Sequence, residues 1–140
     1  MNYKKYLLEV GSGIDLHGED VTKAARKAIR DAITHASMIG LRQLFHIKSF
    51  EELHEALMVD VTIATPYPEK INREEVLKEL PEGQRKLTVV EGGMRFPTTA
   101  NKAFNDIRGV VVVNAMLVVL IDIDKIEKFQ VGNSIQKEQS

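Results

Sequence analysis

The sequence predicts an α/β (α+β) fold. One mixed sheet of about four strands would carry one long helix and one or two short ones on one face, in the order β-α-β-α-β-β. Three observations predict it. Val21, Ala24, Ala25, Ala28, Ile29, Ala32, Ile33 and Ala36 recur at helical spacing. A weakly alternating run occurs at Tyr3–Val10, and runs rich in β-branched residues occur at Val59–Thr65, Lys86–Glu91 and Val110–Ile123. Glycine- and proline-rich stretches punctuate these runs.

The elements follow in order. Tyr3–Val10 alternates weakly and reads as a first strand, ended by Gly11. Gly11–Gly18 is then a loop with three glycines, which suit unusual backbone angles or a close approach to the main chain. The long helix starts after Asp20, whose carboxylate can accept an orphan amide and complement the helix dipole. Its buried stripe is mostly alanine, so it should lie close against the sheet, and Gly40 ends it. Ser49-Phe50-Glu51-Glu52 fits a capping box for a short helix. Val59–Thr65 is a strand that Pro66 and Pro68 terminate. Asn72 with Glu75 opens another short helix through Val76, Leu77 and Leu80, stopped by Pro81 and Gly83. Lys86–Glu91 is a third strand, ending at Gly92-Gly93, and Met94–Arg108 is an irregular connection. Val110–Ile123 is apolar on both faces, which implies a central position or a face covered by a partner; Asn114 within it marks a bulge. Residues 1–124 form the α/β domain, and 125–140 a polar, mobile tail.

Composition narrows the function. Nineteen basic against twenty acidic residues leave a net charge of −1, which argues against a nucleic-acid backbone as main partner. The absence of cysteine excludes disulfides, thiolate metal sites and a thiol nucleophile. No secretory signal or run long enough to span a membrane is present, so no membrane partner is expected and the cytoplasm is the default location. The strands are too apolar for a sheet with one bare face, and a homo-oligomer packing sheet faces together resolves this.

The candidate site centres on the Gly11–Gly18 loop, where Gly11, Gly13 and Gly18 would admit an anionic group to the backbone near a helix N-terminus. Asp15 and His17 are spaced to act as an acid/base pair or as two ligands of a divalent metal, one candidate for a cofactor the sequence does not identify; alternatively Asp15 caps the loop and His17 bonds a carbonyl. Glu91 with Gly92 and Gly93 is a second edge, and Glu91 would join Asp15 and His17 if the third strand lies beside the first. Asn114 either satisfies a bulge or reaches a ligand, and Lys23 either neutralises an anion or lies on a solvated helix face.

Gly11-Ser12-Gly13-Ile14-Asp15-Leu16-His17-Gly18 matches a G-x-G-x-D-x-H-G signature. With Asp20–Ala25, Ala28–Ile33, Val89–Gly93 and Val113–Ala115, it resembles a Lin-type family of conserved hypothetical proteins, over about residues 3–123. The resemblance implies that Asp15, His17 and the glycines form the signature, with Glu91 and Asn114 as companions. It implies no activity. The element order is also similar to chorismate-mutase-like proteins and to the units of ring-opening amidohydrolases, in architecture alone. The expected function is an enzyme acting on a small polar or anionic metabolite, with His17 as acid/base and Asp15 and Glu91 beside it. The alternatives are a non-catalytic small-molecule or metal-binding module, and a structural oligomer without a ligand.

Overall fold

The computed structural model describes residues 1–81, 83–97 and 109–138. Its strands are β1 (Tyr3–Asp15), β2 (Leu57–Thr65), β3 (Gln84–Glu91), β4 (Met94–Phe96) and β5 (Val110–Asp122). The α-helices are α1 (Val21–Thr34), α2 (Gly40–Phe45), α3 (Phe50–Ala56), α4 (Arg73–Leu77) and α5 (Ile123–Glu138), with a 3-10 turn at Pro68–Lys70. One mixed sheet has the order β1-β5-β2-β3, and β4 pairs with β5. β5 is antiparallel to β1 and β2, while β2 and β3 are parallel. β1, β2 and β3 therefore run in one direction, and their carboxyl ends meet one rim of the sheet.

The alternation of β5 explains the layers. Val111, Val113, Ala115 and Leu117 are buried with the alanine stripe of α1 and with Val61, Ile63, Val76 and Leu80. Val119 and Ile121 continue the same face into a second cluster with Leu41, Ile47, Ala56, Leu57 and Ile126. The helices thus cover one face from end to end. The other face carries Leu8, Val10, Ile14, Val90, Met94, Phe96 and Met116, all exposed. This matches the central position expected for β5, whose outward residues face an uncovered layer.

Local capping signals hold. The carboxylate of Asp20 accepts from the Lys23 amide at 3.0 Å, Ser49 Oγ from Glu52 at 3.1 Å and Asn72 Oδ1 from Glu75 at 3.2 Å. Other details differ from expectation. β1 does not stop at Val10: Gly11, Gly13 and Asp15 pair in register with Ala115, Val113 and Val111, so the first glycines belong to a strand. Gly40 opens α2 instead of only ending α1, because the long helix already ends at its cap, His35. The ladder passes through Asn114 without interruption, and the irregularity of the β1–β5 pair falls between Lys5 and Leu7. β4 is a fifth strand within a stretch expected to be irregular; the rest of that stretch, 98–108, lies outside the described residues. Residues 125–138 of the segment 125–140, expected as a polar tail, belong to α5 (Ile123–Glu138), which docks through buried Ile126 with Ile123 and Phe129 packed beside it.

Candidate functional site

Gly11 and Gly13 sit directly beneath α1. A Cβ on Gly13 would lie 2.0 Å from the Ala24 carbonyl oxygen and 2.5 Å from the Ala28 amide nitrogen. On Gly11 it would lie 2.3 Å from the Ala32 amide nitrogen and 2.4 Å from the Ala28 carbonyl oxygen. Glycine on the strand and alanine on the helix let the two backbones touch, which is what a strand-interior glycine commonly signals.

Asp15 ends the same strand face and is 5% exposed. Its Oδ2 accepts from the Asp20 amide at 2.9 Å and the Gly18 amide at 3.1 Å, and Lys23 Nζ stands 3.7 Å from Oδ1. Burial pushes this carboxyl upward; the two amides, with Lys23 and Lys27, outweigh it and hold the group below the ordinary aspartate value. The side chain closes the turn into α1, as in the capping alternative. Gly18 is tight against it, since a Cβ there would approach Oδ2 to 3.0 Å. His17 lies beyond the strand end and is exposed, so the alternation that would align it with Asp15 has already stopped.

The other sequence candidates lie elsewhere. Glu91 pairs with Thr65 of β2, while Asp15 pairs with Val111 of β5. β5 and β2 stand between the lanes of Asp15 and Glu91, a separation of roughly 14 Å at the usual strand spacing. The third strand does not lie beside the first, and Glu91 does not join Asp15 and His17. Among the described residues no three His, Asp or Glu side chains are grouped to hold a metal ion. Asn114 is exposed on the uncovered face, opposite Ser12 and Ala64, whereas Asp15 faces the helices. Gly92 and Gly93 carry the chain from the β3 lane to β4. Gly93 has φ +63°, and a Cβ there would lie 2.1 Å from the Val112 carbonyl oxygen.

Lys23 lines an open cavity. A groove of about 420 Å3 between α1 and α4 is bounded by Asp20, Thr22, Lys23, Arg26, Lys27, Arg30 and Glu75. The four cations are spaced three and four residues apart, so they form one stripe along about 10 Å of helix. Glu79 holds two of them: Arg26 Nε donates to it at 2.6 Å and Arg30 Nε at 2.7 Å. The Arg30 hydrogen bond, aided by Arg26 and opposed by burial, pulls the Glu79 carboxyl down to about 2. Lys27 Nζ donates to the Ile14 carbonyl at 3.0 Å.

Sequence reasoning missed two features. Arg95 of β4 donates to Glu19 at 2.6 Å and lies 5.9 Å from the Tyr67 ring, tying together two residues of the rim with positive φ. Nothing local signals this pairing, because it joins three separate segments. The second is Glu9, buried on the helix-facing side of β1. Its parity with Gly11, Gly13 and Asp15 was the available signal: a charge on the face that the helix covers.

Among the described residues no helix is long and apolar enough to cross a membrane. No curated protein matches the chain. A crystal structure from Nostoc punctiforme PCC 73102, described as an FtsZ-like protein of unknown function, is 36% identical, with a TM-score of 0.74. The match covers 87% of this chain and 98% of that one. Residues 5–119 match the family described as "Conserved hypothetical protein (Lin0512_fam)", and the chain belongs to that family.

Proposed function

We propose that the protein binds a small multivalent anionic metabolite in the groove between α1 and α4. The observation that carries this reading is the stripe Lys23-Arg26-Lys27-Arg30 along a cavity of ligand size. The arrangement is unfavourable for the helix itself. Like charges at i,i+4 repel, and cations in the first turns oppose the helix dipole. The first turn of α1 holds no acidic residue to offset them. Glu79 and Glu75 answer the arginines, and Asp15 and Asp20 stand near the lysines, but Lys23 and Lys27 still line the groove, where a bound anion would add to these partners. Titration with pyrophosphate and citrate, against sodium chloride of equal ionic strength, tests this. The thermal midpoint should rise by several degrees only with the polyanions, as binding to the native state requires. Lys23→Ala with Lys27→Ala should weaken the affinity about tenfold or more, a loss of roughly 1.4 kcal/mol. An equal rise in sodium chloride would reject the reading.

We also propose that the subunits associate through the uncovered sheet face. Its four lanes, with strands of 8 to 13 residues, span roughly 500–800 Å2 in projection, near the ~800 Å2 per partner of a standard interface. Val10 and Met116, register partners on this face, are both exposed. Light scattering at high micromolar concentration should give a multiple of the 15.7 kDa chain mass. Val10→Asp with Met116→Asp should give folded monomers. A wild-type monomer would exclude the association.

A further inference from the structure

The face of β1 that meets the helices carries Leu7, Glu9, Gly11, Gly13 and Asp15, and Glu9 stands opposite Leu117 in the ladder. Asp15 has its amides, but Glu9 has no such arrangement. It is 8% exposed and borders a cavity of about 90 Å3. Ile33, Met38, Val59, Leu80 and Leu117 contribute to the apolar remainder of the wall. Among the described residues no hydrogen bond or ion pair reaches its carboxylate. His35 acts on it through space while its imidazole pairs with Asp31 at 3.2 Å. Burial raises the carboxyl above its ordinary value, an effect His35 partly opposes.

We propose that this cavity binds a small organic cation, an alkylammonium whose charge pairs with Glu9 and whose hydrocarbon lies against Ile33, Val59, Leu80 and Leu117. The charge sign follows from the carboxylate, because a largely desolvated anion without a direct ion pair, its neighbour His35 engaged by Asp31, is costly and a cation relieves it. A hard metal ion would need more oxygen ligands than this wall offers. The volume corresponds to about three waters, which sets the ligand at a few heavy atoms. An apolar cavity with one convergent charged group is the usual form of a small-molecule site. This site lies apart from the α1–α4 groove and shares no lining residue with it.

Methyl NMR of the full chain, titrated with n-propylammonium and separately with n-propanol, tests the assignment. The methyls of Ile33, Val59, Leu80 and Leu117 should shift and saturate with the ammonium. Glu9→Gln should weaken that binding about tenfold or more, and n-propanol should bind more weakly by a similar factor. Ala36→Leu, which fills the cavity from its rim while keeping the carboxylate, should abolish saturation. Lys23→Ala with Lys27→Ala should leave the titration unchanged, which separates this site from the groove. Absence of saturable shifts, equal binding by Glu9→Gln, or equal binding of n-propanol would each overturn it.

Discussion

Gly13→Ala should lower stability by about 3–5 kcal/mol, at the upper end of overpacking effects and a large share of a typical domain's total. Strand propensity alone argues the opposite sign, since alanine costs less chain entropy than glycine by about 0.5–1 kcal/mol. The 2.0 Å approach to the Ala24 carbonyl oxygen decides the matter, because the obstacle is backbone and cannot swing aside. The helix must lift, and lifting it opens the interface among Ala24, Ala28, Val113 and Ala115. The thermal midpoint should fall by about 9–20 °C, at roughly 3–4 °C per kcal/mol for a chain of this size. Gly11→Ala with Gly13→Ala should fail to fold. A midpoint within about 2 °C of wild type for Gly13→Ala would show that α1 does not pack as described. The glycines of the motif therefore act first on architecture: they set how near the helix comes to the sheet.

Asp15→Asn should cost about 3 kcal/mol near neutral pH, or roughly 10 °C in midpoint. The carboxylate accepts two amides and faces Lys23, and an amide side chain retains only part of that accepting capacity. The pH dependence gives the sign. The folded pKa of Asp15 is lowered, so its contribution is present above the unfolded value near ~3.9 and is lost as pH falls through the folded value. The stability gap between wild type and Asp15→Asn should therefore be constant above about pH 5 and close as the pH drops below about 4. A gap that persists unchanged to low pH would mean the side chain acts by packing alone. Glu79, held near 2 by Arg30 and Arg26, should add to the same acid-side loss in both proteins.

These two residues show how much of the site was legible. The spacing from Gly11 to Gly18 marked the segment where the chain passes from β1 into α1, and the capping alternative for Asp15 is the one drawn by its hydrogen bonds. Lys23 lines the groove between α1 and α4 together with Arg26. The composite of Asp15, His17 and Glu91 did not assemble, because it required an adjacency of strands that no local pattern encodes. Arg95 went unseen for the same reason, since its partners Glu19 and Tyr67 lie far along the chain, whereas Glu9 carried a local signal in its parity with Gly11, Gly13 and Asp15.

What the sequence determined by itself was the set of elements whose causes are local. The 3.6-residue period of the alanines makes α1, and Asp20, Ser49 and Asn72 start helices because a cap reaches an amide only two or three residues away. Strand character at β2, β3 and β5 follows from β-branched alternation in the same way. Only the tertiary structure decided that β5 lies between β1 and β2, that Gly11 and Gly13 extend a strand instead of opening a loop, and that Glu9 faces a cavity. Those outcomes depend on pairings between residues a hundred positions apart, such as Gly13 with Val113, where the free energy comes from contacts formed after the chain has closed on itself.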